Sequence, residues 1–222
     1  MSTPNPASHY AISDSSDILS AITTTGINLA VWKRAEIPAC NEALAAIFAA
    51  QGPIEIDLKP VDRTQIIPEI LASTESFGAQ ASMKVLAEDI RMLVDRFCEV
   101  TGNSHARIRI SRVEDNGCQL FHADTLHMRL ICIYAGAGTE WLENDNARYN
   151  ELGSKGRSVA ETNNTIVINP AQIRRIATWH VAMLSGRRKT GTPPLIHRSA
   201  PVHSNHEHRI RLCIDFPHVC GC

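Results

Sequence analysis

Apolar residues in the first hundred positions recur with the 3.6-residue period of an α-helix. The clearest case is residues 81–100, in which one apolar stripe contains Val85, Ile90, Leu93, Val94 and Phe97. The Thr-Gly-Asn sequence at residues 101–103 then ends the pattern, as glycine commonly does after a helix. A second helix is predicted from Pro38 to a stop before Gly52, and the alternation of residues 54–59 favours a strand.

Beyond about residue 105 the period changes from 3.6 to 2, which is typical of half-buried strands. Gly, Asn and Pro separate the alternating runs, which predict strands at residues 106–113, 119–124, 128–135, 165–169, 177–184 and 209–216. We therefore expect an α+β fold with a β-sandwich or barrel core and flanking N-terminal helices.

Three segments follow from these patterns. Residues 1–16 are rich in Ser, Pro, Asn and Thr and are predicted to form a disordered tail. Residues 17–105 form a mainly helical extension that packs on the core, and residues 106–222 form the core itself.

Composition narrows the function classes. The 222 residues include 22 basic and 23 acidic side chains, so the net charge of −1 gives no indication of nucleic-acid binding. No apolar run approaches the roughly 18 residues of a membrane span, and the first residues lack the features of a signal peptide. We expect a cytoplasmic protein whose seven cysteines are mostly reduced thiols.

A His-x-Asp pair within the sequence FHAD carries the candidate chemistry. His122 and Asp124 are two residues apart, so in a strand both side chains face the same way. His197, in the sequence HRSAP, is the best third ligand, contributed by a different strand. Two imidazoles and a carboxylate form the facial triad that suits Fe(II) and leaves coordination positions open. The same three ligands also suit Zn(II), which activates water for hydrolysis.

Two motif blocks in this part of the chain resemble the prolyl-hydroxylase-like 2-oxoglutarate/Fe(II) dioxygenases. More closely, they resemble a bacterial family of conserved uncharacterised proteins. The second block is HRSAPV, at residues 197–202. The first block supplies His122, Asp124, Arg129, Tyr134, Gly138, Thr139, Glu140 and Trp141.

This resemblance implies a double-stranded β-helix (jelly-roll) core and an oxygenase that uses Fe(II) and 2-oxoglutarate. It makes Arg209, twelve residues after His197, the closest match to the basic residue that binds the far carboxylate of 2-oxoglutarate. Arg211 on the same strand face is the second choice. Tyr134 becomes a candidate cofactor-binding residue. Arg129 becomes a candidate catalytic residue, although an ion pair with a neighbouring carboxylate, Asp124 or Glu140, is the favoured interpretation. The substrate, a small molecule or a protein, is not indicated.

Departures from the family pattern leave alternatives open. The interval between His197 and Arg209 is longer than usual and contains HSNHEH, at residues 203–208. The chain ends in HVCGC, so that His218, Cys220 and Cys222 form a possible second site for Zn(II) or Cu(I), against the alternative of a frayed terminus. A non-catalytic zinc-binding or metal-trafficking protein, or a jelly-roll binding module without chemistry, therefore remains the alternative to an oxygenase.

Overall fold

The computed structural model describes residues 8–59, 62–113, 118–201 and 208–216. Its helices are α1 (Asn41–Ala49), α2 (Ile66–Ser73), α3 (Gln80–Thr101) and α4 (Val159–Ile166). Its strands are β1 (Tyr10–Ser13), β2 (Leu29–Trp32), β3 (Glu55–Leu58), β4 (Arg107–Val113), β5 (Met128–Ala135), β6 (Thr139–Leu142), β7 (Arg174–Arg175), β8 (Val181–Ser185), β9 (Ile196–Ser199) and β10 (Arg209–Asp215). None of the helices in this part of the chain is long and apolar enough to cross a membrane.

Two sheets face each other at the centre of the fold. The large sheet has the order β1-β2-β8-β5-β10-β4-β3, and the small sheet has the order β7-β6-β9. Neighbouring strands are antiparallel except for β1 and β2, which are parallel. Successive side chains along a strand point to opposite faces, so each strand of the large sheet supplies two separate cores.

One face of the large sheet packs against the helices. On β5, Leu130, Cys132 and Tyr134 join this core, and they meet the apolar stripe of α3 that includes Ile90 and Phe97. The intervening β5 residues Ile131 and Ile133 point the other way and pack with residues of the small sheet such as Trp141. Beyond the small sheet, α4 covers a third apolar cluster. The resulting layers are helix, large sheet, small sheet and helix.

A buried ion pair links the helical layer to the large sheet. Arg34 donates from Nη1 and Nη2 to the two oxygens of Asp89 on α3, at 2.5 and 2.9 Å. The Tyr134 hydroxyl donates to the same carboxylate at 2.6 Å, and burial raises the pKa of Tyr134 so that this proton is retained. The Arg34 guanidinium also lies over the rings of Trp32 and Trp179, at 5.4 and 5.5 Å from their centroids.

The N-terminal segment differs from its prediction. Residues 10–13, assigned to a disordered tail, form β1 at the edge of the large sheet, and a 3₁₀ helix follows at Ser16–Thr23. The expected helical extension also contributes β2 to that sheet, whereas β3 matches the strand predicted at residues 54–59. β1 and β2 were not predicted from periodicity, and pairing with neighbouring strands stabilises both.

Three predicted core strands also differ. Only the second half of the strand predicted at residues 177–184 is formed, as β8 from Val181. Residues 165–169 contain the end of α4, which Ser158 begins through a capping box with Glu161. Residues 119–124 contain a single bridge between His122 and His197 in place of a strand. The predicted helix at 81–100 and the predicted strands at 106–113, 128–135 and 209–216 match α3, β4, β5 and β10 within one residue at each end.

Replacing Arg34 with methionine (Arg34→Met) should destabilise the fold strongly. The Asp89 carboxylate would stay buried without its cation, which lowers the free energy of unfolding by about 3–5 kcal/mol. Urea denaturation measures this loss. The control is Arg91→Met on α3, the helix that carries Asp89. There the Arg91–Asp95 pair is half-exposed. It should change stability by about 1 kcal/mol or less. Equal losses in the two variants would contradict the role given to the buried pair.

Candidate metal centre

The two histidines of the predicted triad form a directly opposed antiparallel pair. The backbone N–H of each residue donates to the backbone carbonyl of the other at 3.0 Å, so His122 extends the small sheet beyond β9. Opposed residues in an antiparallel pair point to the same face. The two imidazole rings are consequently neighbours, with centroids 4.6 Å apart.

Both imidazoles are held so that Nε2 faces the site. His122 Nδ1 lies 2.8 Å from the Leu120 carbonyl oxygen, and His197 Nδ1 lies 3.3 Å from the Leu195 carbonyl oxygen. A carbonyl can only accept, so each Nδ1 carries the proton and each Nε2 keeps its lone pair. Anchoring the second nitrogen in this way is the usual arrangement of a metal-binding histidine.

Asp124 completes the cluster. Its Oδ1 lies 3.8 Å from His122 Nε2, and its Oδ2 lies 3.8 Å from His197 Nε2. One ligand atom from each of the three residues lies within 4.8 Å of the other two. This donor set of two imidazole nitrogens and one carboxylate matches the chemistry of a facial triad. In the described part of the chain, it is the group of His, Cys, Asp and Glu side chains that could hold a metal ion.

The electrostatics suit a cation. Burial lowers the pKa of His197 to about 4, so its ring is neutral at neutral pH and available as a ligand. Burial also acts to raise the pKa of Asp124, but neighbouring groups, including the permanently charged Arg129, lower it overall, which keeps the carboxylate ionised. Asp124 is 7% exposed and His197 is 6% exposed, so water screens a bound ion only weakly.

A tight turn holds the loop that carries Asp124. The backbone N–H of Arg187 donates to the Asp124 carbonyl at 2.8 Å, and that of Arg188 donates to the Leu126 carbonyl at 3.0 Å. A Cβ on Gly186 would lie 2.2 Å from the Leu126 carbonyl oxygen and 2.9 Å from that of Asp124. Glycine is therefore required where the turn meets the loop.

A chain of charged pairs extends from Asp124 into the large sheet. Arg129 Nη1 donates to both oxygens of Asp124, at 3.2 and 3.0 Å. Its Nε and Nη2 donate to the two oxygens of Asp215, at 2.7 and 3.0 Å. The expected pairing of Arg129 with Asp124 is thus present. Glu140, the alternative partner, instead accepts from Arg175 and Arg198, each at 2.8 Å.

A narrow pocket opens beside the triad. It is lined by Cys118, His122, Arg129, Ile131, Ile133, Thr139, His197, Arg198, Ser199, Arg211 and Cys213. Arg211 pairs with Ile133 in the sheet register and so points to the inner face, toward the pocket. Its Nε is buried and has no hydrogen-bond partner among the described residues.

Arg209, the closest motif match, lies at the end of this face and not in the pocket lining. A register shift between Ile210 and Arg211 carries Arg209 past the end of β5. Its Nη2 donates to the Ala200 carbonyl at 2.7 Å, and its side chain packs beside Gly136. Arg211, the second choice, therefore lines the pocket beside the triad. Arg209, the first choice, is buried outside the pocket lining.

Two other predicted site residues are not brought to the triad. Tyr134 lies on the opposite face of β5, where it donates to Asp89, because even-numbered residues of that strand face the helices. This placement corrects its assignment as a cofactor-binding residue. The possible second metal site at His218, Cys220 and Cys222 lies outside the described residues, as do residues 203–207 of the histidine-rich insert.

Sequence reasoning missed Asp215 and Gly186. Asp215 ends a strand that alternates charged and apolar residues, RIRLCID, and this pattern could have placed it on the same face as Arg211. The need for glycine at residue 186 depends on a carbonyl sixty residues earlier in the chain, so no local pattern could have revealed it.

The variant Gly186→Ala should disturb the candidate metal centre without changing any of its three ligands. The added methyl group must displace the loop at Leu126, which reduces stability by about 1–3 kcal/mol and weakens Mn(II) binding in a calorimetric titration. The control is Gly153→Ala, at a residue with φ +92° and open space around it. That variant strains the backbone but should leave Mn(II) affinity unchanged. Equal Mn(II) affinity in the two variants would contradict the role of Gly186.

The chain is similar in fold to solved structures whose names describe oxygenases. The chain is similar to a Shewanella oneidensis protein named "Putative oxygenase", with 11% identity, a TM-score of 0.50, and coverage of 94% of this chain and 90% of that one. A Pseudomonas putida prolyl-4-hydroxylase has 10% identity, coverage of 90% and 96%, and a TM-score of 0.41. The Fe(II)/α-ketoglutarate-dependent dioxygenase TqaL has 11% identity, coverage of 86% and 76%, and a TM-score of 0.44.

At these identities the likeness to the Shewanella protein shows a shared fold and does not establish a reaction. The resemblance that the two motif blocks indicate is thereby confirmed at the level of fold. No curated protein matches the chain. Residues 13–215 match the family model described as "Protein of unknown function (DUF1826)". Since this match spans most of the 222 residues, the chain belongs to the DUF1826 family.

Proposed function

We propose that this protein is an Fe(II)- and 2-oxoglutarate-dependent oxygenase with a jelly-roll core. The observation that carries the proposal is the cluster of His122, Asp124 and His197 between two facing antiparallel sheets. The two-sheet core, with the ligands on its inner face, is the arrangement that a jelly-roll fold provides. The substrate, a small molecule or a protein, would reach the site from the side on which His122 is one-third exposed.

The donor set fits Fe(II). Each imidazole presents Nε2 because its Nδ1 is anchored to a backbone carbonyl two residues earlier. Three protein ligands leave other coordination positions for a co-substrate and dioxygen. Bound iron would supply the oxidation chemistry, while the protein supplies orientation, exclusion of water and the charge balance of the site.

The pocket charges fit a dicarboxylate. Among its lining residues, Arg129 is paired with Asp124 and Asp215, and Arg198 is paired with Glu140. Arg211 is the lining arginine with neither an ion pair nor a hydrogen bond to another described residue, and its Nε is buried. A guanidinium fork binds a carboxylate through two parallel hydrogen bonds. We therefore assign the far carboxylate of 2-oxoglutarate to Arg211 and not to Arg209.

Anaerobic reconstitution tests the metal and the reaction together. The purified chain should bind one equivalent of Fe(II). With oxygen, and with ascorbate supplying two electrons in place of the unknown substrate, it should convert 2-oxoglutarate to succinate and CO2. His122→Ala and His197→Ala should each lose both properties, because two protein ligands hold the ion poorly. His180→Ala is the control, since this residue is not part of the triad. Unchanged iron binding in the triad variants would contradict the proposal. Tight Zn(II) binding without keto-acid turnover would favour the zinc-binding alternative.

The variant Arg211→Met should weaken binding of the co-substrate without weakening binding of the metal. We expect its affinity for 2-oxoglutarate to fall at least about tenfold, because one hydrogen bond to a charged group contributes about 1.5–3 kcal/mol. Affinity for Mn(II) alone should be retained. Arg211→Lys keeps the charge without the fork and should show an intermediate loss. Calorimetric titration of 2-oxoglutarate into the Mn(II)-loaded protein measures the co-substrate affinity of both variants. Titration with Mn(II) alone measures their metal affinity. Wild-type affinity in Arg211→Met would rule out the assignment.

A further inference from the structure

Asp124 lies in a loop, whereas the two histidines whose side chains it contacts are held in a sheet. His122 and His197 are held by paired backbone hydrogen bonds, whereas Asp124 follows the bridge residue and lies outside any strand. The turn at Gly186 fixes the backbone carbonyl of Asp124 but not its carboxylate. The orientation of the carboxylate must therefore come from side-chain contacts.

Arg129 makes that contact from a rigid position. It lies on β5, and its Nη1 donates to both carboxylate oxygens of Asp124. The other side of the guanidinium, Nε and Nη2, is held by both oxygens of Asp215. One planar group thus joins the carboxylate in the loop to a carboxylate in the sheet, which fixes the guanidinium plane at both edges.

Asp215 is itself held firmly. It is 1% exposed and lies directly opposite Arg129 in the register of β10 and β5. From the other side, Arg109 Nη2 on β4 donates to Asp215 Oδ2 at 2.7 Å. Three adjacent strands of the large sheet therefore determine where the Arg129 guanidinium lies.

We propose that Arg129, oriented by Asp215, is the positioning residue of the metal centre and holds the Asp124 carboxylate toward His122 and His197. The inference rests on the metal site of the proposed function. Arg129 touches a metal ligand and not the reacting atoms, so it is not a catalytic residue.

Electrostatics alone does not explain an arginine at this position. A positive charge 3.0 Å from a ligand carboxylate opposes the binding of a second cation by Coulomb repulsion. Asp215 offsets part of that charge, and the remaining benefit is geometric. A lysine at the same position would keep the charge, but its single ammonium group cannot bridge two carboxylates in a fixed plane.

The test is Arg129→Lys, read by Mn(II) affinity of the full chain in a calorimetric titration without co-substrate. Because the charge is kept, a change in affinity reports the loss of orientation. We expect Mn(II) binding to weaken roughly 10- to 100-fold, the range seen when residues behind metal ligands are replaced. If the ion pair were purely structural, replacing Arg129 would lower the free energy of unfolding, measured in parallel by urea denaturation. It would not weaken Mn(II) binding in the folded protein.

The chain offers a matched control. Arg107 on β4 forms the same fork, with its Nε 2.8 Å from Asp57 Oδ1 and its Nη2 on the other oxygen. That pair joins β4 to β3 and includes no residue of the triad. Arg107→Lys should leave Mn(II) affinity at the wild-type value. Wild-type affinity in Arg129→Lys, or an equal loss in both variants, would overturn the proposal.

A structure of the unmodified chain with Mn(II) provides a second test that does not require a variant to fold. It should show Arg129 still hydrogen-bonded to Asp124 and Asp215 while Asp124 ligates the ion. Displacement of Arg129 from Asp124 on metal binding would overturn the positioning role and leave the metal site intact. Failure of the unmodified chain to bind Mn(II) would overturn both the metal site and the positioning role.

Discussion

The backbone pairing of His122 with His197 is the constraint on which the site depends. Two hydrogen bonds at 3.0 Å place residues 75 positions apart directly opposite each other, and antiparallel geometry then brings both rings to one face. The carbonyls of Leu120 and Leu195, two residues before each histidine, accept from Nδ1 and so set the orientation of each ring. A shift of one residue in this pairing would move one imidazole to the opposite face and break up the cluster of His122, Asp124 and His197.

The inner face of the large sheet carries charged side chains beside the apolar cluster that packs on the small sheet. On β10, Ile210, Leu212 and Ile214 pack with α3, while the intervening residues include Arg211 and Asp215. Burying these charges between two sheets is unfavourable unless they are paired. The links from Asp215 to the arginines of neighbouring strands meet that requirement, and one of these arginines, Arg129, also holds the carboxylate of Asp124.

Periodicity predicted the longer elements well because each buries a full apolar face. The stripe on α3 and the alternation in β4, β5 and β10 are determined by the residues themselves. The four-residue strands β1, β2, β6 and β9 were not predicted, and they depend on their neighbours for stability. β3 is equally short, but its alternation indicated a strand. Residues 165–169 have the composition of a strand but contain a helix end, since the capping box at Ser158 starts a helix before them.

The sequence by itself determined which side chains form the candidate site. His122, Asp124 and His197 were identified from residue types and spacing, and the structure brings them together. Only the tertiary structure decided which arginine enters the pocket. Arg209 and Arg211 are equivalent in the local pattern, and a register shift between β10 and β5 distinguishes them. The partner of Asp215 was also decided by register, which places it opposite Arg129 on β5. The reason is physical: residue type sets what a side chain can bind, whereas strand register, which depends on distant partners, sets the face to which it points.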